Sequence, residues 1–249
     1  YVALQKNEVV GGIKTWKTNF HPNCTYMSII VHTLFRDIGM ENQLLSLVES
    51  SQSSEFPLQT LICETNYFTK EFYETSGFKE IRRTYLPILK ITEIQELDVK
   101  FIEKYNNTHV SIETLNDIRK NEHLKKKLIS FVKETYEATH RDNPPRKKDL
   151  HAWEKLIFSK DTMVNHSYIA LSENKDILAF ALLHEGEDDN TLEFGWRGTK
   201  GETELHLIVL LTAFQIRSTK SEGYKYIVGE IDTTDLYSIE MFKKFPFTL

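Results

Sequence analysis

Cysteine is scarce. Only Cys24 and Cys63 occur in 249 residues, too few for a disulfide framework or a cysteine-only metal site, and this points to a reducing, cytoplasmic address. Long apolar runs are missing too. The longest, Leu207-Ile-Val-Leu-Leu211 with Thr212-Ala-Phe214 behind it, falls far short of the ~20 residues a membrane helix needs, so no membrane partner is expected. Nor is there an excess of positive charge. Thirty-six acidic residues against thirty-one basic ones give a net charge of −5 and a pI near 6.0, whereas a nucleic-acid-binding domain usually has a pI above about 9. No nucleic acid is expected. The start lacks a signal-peptide pattern, and Tyr1, not Met, opens directly into a strand-like segment, so natural sequence is expected to precede it. The P-loop pattern G-x-x-x-x-G-K-[ST] and the zinc pattern H-E-x-x-H are absent, and the nine histidines form no H-x-x-x-H pair, so no metal is expected.

What remains is 40% hydrophobic and 27% charged, close to the globular averages of about 45–50% and 25%. A sizeable core in one large or two small domains follows. Residues 2–5 and 8–16 flank Lys6-Asn7, a polar break that suits a hairpin turn. A strand is expected at 25–32, after the His21-Pro-Asn23 turn. Met40, Leu44, Leu45 and Val48 then recur at helical spacing up to about Glu49. A polar break at 50–54, a buried strand at 58–63, a short helix at 69–76 stopped by Gly77, and a strand at 78–89 complete the first half.

The second half repeats this order with a fuller beginning: a strand at 110–114 and a helical stripe from Leu124 to Tyr136, ended by Asn143-Pro-Pro145. A helix at about 150–159 and a hairpin of 168–171 with 177–183 around Asn174-Lys175 come next. A strand at 191–195, a helix at about 204–219, a strand at 224–228 and a helix at 236–244 close the chain. Asn66 to Phe78 and Asp235 to Phe247 even share an offset of twelve residues. The spacing predicts an internal duplication.

Val31-His-Thr-Leu-Phe-Arg36-Asp-Ile-Gly39-Met-Glu-Asn-Gln-Leu44-Leu45 resembles the strand, Arg/Gln-x-x-Gly-x-Gly/Ala loop and helix of the GCN5-related N-acetyltransferase (GNAT) superfamily. Asn66-Tyr-Phe-Thr-Lys-Glu-Phe72-Tyr73-Glu-Thr-Ser-Gly77-Phe78 resembles its Asn…Phe-Tyr-x-x-x-Gly-Phe segment. The resemblance covers residues 1–90 by motif and 110–249 mainly by topology. It implies an α/β (α+β) protein of two GNAT-like domains, each a mixed, mostly antiparallel sheet flanked by helices. The domains are expected at 1–92 and 109–249 with a connector at 93–108. The first lacks the strand and two helices that precede the hairpin in the second, and in the family those helices wall the acceptor pocket.

By resemblance the loop after residue 31 binds acetyl-coenzyme A, the expected cosubstrate. A loop entering a helix presents free amides at the positive end of the helix dipole, which suits a pyrophosphate. Gly39 spares the anion a Cβ, and Arg36 can add a charge-assisted contact. The cofactor-binding set is Ile29, Ile30 and Val31 on the strand, Arg36, Asp37, Ile38, Gly39 and Met40 in the loop and helix start, and Asn66. Glu41 replaces the family's last small residue. Tyr73 stands where the family carries the tyrosine that protonates the departing sulfur, a role its pKa of about 10 suits. Packed on the sheet beside Phe72, it would instead be a core residue. Asn66 would hydrogen-bond the pantetheine arm or cap a helix.

The family often places a carboxylate on the strand before the loop, and 25–31 has none. His32 and Glu64 are the candidate bases, against readings as a strand-end histidine and a solvated carboxylate. In the second copy Phe242 replaces Tyr73, Pro246 replaces Gly77 and Asp235 replaces Asn66. Phe194-Gly-Trp-Arg197-Gly198-Thr-Lys-Gly201-Glu-Thr-Glu204 takes the loop position with the wrong spacing, while Glu193 lies where a base could sit. The second copy reads as degenerate or differently specialised. His21-Pro-Asn-Cys24, Arg146-Lys-Lys148 and the acidic loop 185–190 read as a turn and solvated charge. The expected activity is direct transfer of an acetyl group to an amine of a small molecule or peptide in a ternary complex. The rival is a catalytically inactive binding or assembly module of the same fold. A homodimer is allowed by either.

Overall fold

A computed structural model describes residues 1–36, 38–51, 57–94 and 110–249. Two compact units form, Tyr1–Ile81 with Arg141–Lys147, and Arg82–His140 with Lys148–Leu249.

In the first unit, β1 (Val2–Gln5), β2 (Glu8–Trp16), β3 (Thr25–Val31) and β4 (Leu58–Gln59) lie side by side in that order. Lys6 and Asn7, both at positive φ, make the tight turn of the first hairpin. Alternation sends Ile13, Met27 and Val31 to one face of the sheet. There they pack with Leu44, Leu45 and Val48 of α1 (Met40–Ser51) and Tyr73 of α2 (Tyr67–Thr75). The first three strands are antiparallel, whereas β4 is parallel to β3 and pairs only Leu58 with Thr25 and Gln59 with Tyr26. The expected strand at 58–63 therefore shrinks to two residues. Beyond Gln59 the chain leaves the sheet with Leu61 exposed, while β3 runs on to Val31. The two strands part into a fork.

The second unit is built on a six-stranded sheet. It comprises β6 (Ile88–Lys90), β7 (Val110–Thr114), β8 (Tyr168–Ser172), β9 (Ile177–Glu185), β10 (Thr191–Thr199) and β11 (Tyr226–Val228), in the order β6-β11-β10-β9-β8-β7. Only β10 and β11 pair in parallel. A small ladder joins β5 (Thr84–Tyr85) to β12 (Ile231–Asp232). Besides a single turn at Leu115–Ile118, the helices are α3 (Glu122–Thr139), α4 (Leu150–Ile157), α5 (His206–Ser221) and α6 (Leu236–Lys244). The apolar run at 207–214 belongs to α5, a helix buried along most of its circumference. Both units are mixed sheets flanked by helices, as the repeated element order predicts. No helix among the described residues is long and apolar enough to cross a membrane.

Two expectations are corrected. The single strand at 78–89 is two short ones, because Pro87 cannot donate to a ladder and separates β5 from β6. Both pair within the second unit, so the first unit ends at Ile81, short of the expected boundary at 92. It also takes in Arg141–Lys147, where Arg146 N–H donates to Phe20 O (2.7 Å). Most of the expected connector, 95–108, lies outside the described residues.

Candidate functional site

The first fork is built by β3. His32 N–H donates to Val10 O, which fixes the phase of the ladder. Ile30 turns its backbone groups toward Gly12 of β2, whereas Met27, Ile29 and Val31 turn theirs to the free edge. Of the three strand residues expected at the coenzyme, Ile29 and Val31 thus face the fork with their amides and carbonyls. Ile30 does not, and its side chain is exposed.

Tyr73 stands in the fork. Only 4% exposed, it makes edge contacts with Phe72 and Phe78, with ring centroids 5.0 Å apart in each case. Its phenol meets the Thr60 hydroxyl and the Ile29 amide. Burial pushes its pKa above the usual tyrosine value, and those two hydrogen bonds offset the rise in part. The core reading of Tyr73 holds for the ring, while its hydroxyl sits against the edge of β3. Thr60 had no signal in the sequence, because only the departure of the chain from β4 brings it there.

Past Val31 the chain turns into α1. Arg36 Nε donates to Val31 O (3.3 Å), and its guanidinium lies 5.6 Å over the Phe68 ring. Gly39 has φ +82°, and an added Cβ there would meet nothing within 4 Å. The left-handed turn itself calls for glycine there. Among the described residues nothing accepts the amides of Met40, Glu41 or Asn42, and Gly39 O accepts from Gln43. Met40 itself packs against the core. Glu41 is 7% exposed, and its Oε1 has no hydrogen-bond partner. Ile38 is exposed in the turn, and Asp37 lies outside the described residues.

The remaining candidates hold local structure. Asn66 caps α2, its Oδ1 accepting from Thr69 N–H (3.2 Å). His32 Nδ1 accepts from Leu34 N–H (3.3 Å) and caps the turn at Thr33–Phe35, which leaves the ring proton on Nε2. Glu64 sits in an exposed turn after β4 and not on a strand. Both candidate bases are exposed, and the His32 ring lies edge-on to Phe35. At the closed end of the fork, Asn143, 3% exposed, donates through Nδ2 to Tyr26 Oη (2.9 Å) and Gln59 Oε1 (3.0 Å). Burial raises the nearby Cys24 thiol above its usual value, with Tyr26 and Asn143 opposing, so no thiolate nucleophile is prepared there.

The second unit has the matching fork. β10 pairs with β11 only from Thr191 to Glu193, and its register with β9 slips between Phe194 and Arg197, the signature of a bulge. The bulge lets the strand continue to Thr199. Phe194 to Thr199 are therefore strand, and the loop expected there begins only at Lys200. Arg197 fills the fork. It is 2% exposed, and it donates to Thr212 Oγ1 (3.2 Å), Gly195 O (3.3 Å) and the Met241 sulfur, with Phe194 stacked 4.6 Å away. Burial lowers its pKa to about 10, opposed by the charge of Asp235. The turn before α5 holds Glu202 and Glu204, and Phe242 packs among Tyr85 and Phe247 with no hydroxyl to offer. No group of three or more metal-binding side chains occurs among the described residues.

No family model matches the sequence, and no curated protein matches it. Solved structures do. A GCN5-related N-acetyltransferase from Sphaerobacter thermophilus superposes with a TM-score of 0.57 at 15% identity, over 91% of this chain and 69% of that one. A GCN5-related glucosamine N-acetyltransferase region of a fungal multi-domain β-N-acetylglucosaminidase gives 0.64 at 10% identity, over 98% of this chain and 31% of that one. A tandem GNAT protein from the clavulanic acid biosynthesis pathway gives 0.56 at 9% identity, over 99% and 78%. The chain spans under a third of the fungal protein and about seven-tenths of the Sphaerobacter one. These likenesses establish the fold: the chain has the GNAT fold.

Proposed function

We propose that the first unit is an acyltransferase that takes the acetyl group of acetyl-CoA to an amine of a small molecule or peptide. One observation carries this reading: a buried phenol held against an outward-facing strand amide where two strands part, beside a helix start whose amides are unbonded among the described residues. The donors present suit the cosubstrate chemically. The amides of Met40 to Asn42 and the Arg36 guanidinium suit a diphosphate. The edge groups of Ile29 and Val31, now bonded to Tyr73 and Arg36, suit the amide-rich pantetheine arm. Acetyl-CoA supplies a thioester carbon for the amine nitrogen to attack.

The chain's own groups divide the remaining work. In this reading the Ile29 amide exchanges the phenol for the thioester and stabilises charge on its carbonyl oxygen. Tyr73 gives its proton to sulfur as the carbon–sulfur bond breaks, the amine's proton passes to solvent as the carbon–nitrogen bond forms, and the phenolate takes a proton back from solvent. A raised pKa suits this role, because it favours the protonated phenol that the step requires. β3 carries no carboxylate and His32 is committed to a cap, so the amine must arrive neutral or lose its proton to water. The two free cysteines accord with a cytoplasmic setting.

Titration calorimetry with acetyl-CoA, followed by a free-thiol release assay over an amine panel, tests the proposal. Binding and amine-dependent thiol release are expected. Binding without release would identify a ligand-binding module, and no binding would remove the reading.

A further inference from the structure

We infer that the second unit's fork is closed by Arg197 and takes no coenzyme A, so that a chain offers one coenzyme site and not two. The inference stands apart from any activity of the first fork. Three positions that must each serve a bound thioester cosubstrate are altered together. Where the strands part, the first unit has a phenol bonded to the edge amide of Ile29. The second has the Arg197 guanidinium, held by Thr212, Gly195 O, the Met241 sulfur and the Phe194 ring at 2% exposure. A thioester would have to displace it, and its Nε already lacks a partner. At the anion end, Glu202 and Glu204 stand in the turn that enters α5, where two carboxylates repel a diphosphate. In place of the proton donor, Phe242 stacks on Tyr85 at 5.8 Å.

Arg197 also has a positive role. β10 bulges at Gly195 and Trp196 and parts from β11 after Glu193, and interiors tolerate few voids larger than a water molecule. The side chain fills the opening from within and links β10 to α5 and α6 through Thr212 and Met241.

Hydrogen exchange of the full chain with and without saturating acetyl-CoA tests the closure. Amides of 194–199 and 236–244 are expected to exchange within twofold of their free rates, with calorimetric stoichiometry no higher than one per chain. Slowing of tenfold or more at 194–199, or a stoichiometry of two, overturns the inference. Slowing nowhere would retire the reading of the first fork and leave this one standing. The filling role is read from two variants. Arg197→Met should keep the thermal midpoint or raise it, and Arg197→Ala should lower it by about 10 °C. An alanine variant as stable as the parent would show that Arg197 fills nothing.

Discussion

The two forks start from the same local event, a parallel strand pair that separates after a few residues, and reach opposite outcomes. In the first, separation follows Tyr26 and Gln59 and leaves backbone edges facing a tyrosine hydroxyl. In the second, it follows Glu193 and Val228, and a bulge swings a guanidinium into the space. The difference teaches that a fork is a void the fold must manage. A cleft stays usable where small polar contacts line it, and it becomes core where one long side chain enters. Arg197 is a costly filler, since burial lowers its pKa to about 10, a depression worth about 3 kcal/mol at 1.36 kcal/mol per pH unit.

The sharpest test of the contrast is Tyr73→Phe, which makes the first fork resemble the second. It should lower kcat about 10²–10³-fold with little change in acetyl-CoA affinity. An unchanged kcat in steady-state assays would remove the acid role. Arg197→Met removes the buried charge while keeping the volume. It should raise stability at pH 7 by about 1–3 kcal/mol in denaturant titrations. Below about pH 10 the folded and unfolded chains both hold the arginine proton, so that gain is constant. Above it the folded chain sheds the proton first, the parent recovers stability, and the gain shrinks. A gain that grew with pH would contradict the assignment.

Asn143→Leu should cost about 1–3 kcal/mol by removing the hydrogen bonds that Asn143 gives to Tyr26 and Gln59, and urea midpoints would report it. Glu41→Gln removes a buried carboxylate from the first turn of α1. It should tighten acetyl-CoA binding up to about tenfold, or 1.4 kcal/mol, as read by calorimetry. Gly39→Ala, forced to φ +82°, should weaken the same binding by several-fold, equivalent to about 1 kcal/mol.

Much of this was legible in the residues. The hairpin turn at Lys6-Asn7, the stripe Leu44, Leu45, Val48, and the repeat of strand, loop and helix all express local rules of period and turn chemistry. The packing partners of Tyr73 followed from its helix position beside Phe72. What stayed hidden depends on non-local geometry. A two-residue β4 cannot be told from a six-residue strand when both read as apolar. Thr60 and Asn143 gain meaning only from partners far along the chain. The bulge that keeps 196–199 in β10 is a matter of register, which composition does not encode, so Arg197 read as a loop residue when it is a buried one. Asp235 and Asn66, matched by offset, do share a duty: both cap the helix that follows.

The segment Arg141–Lys147 gives the first unit a peculiar biosynthesis. Asn143 reaches Tyr26 across 117 residues of sequence, so a nascent chain whose first eighty residues have left the ribosome still lacks part of that unit. Its core can collapse early, but its last hydrogen bonds wait until the long helix before Asn143 has been translated. A proteolytic fragment ending near residue 90 would inherit the fork without the residue that ties its closed end.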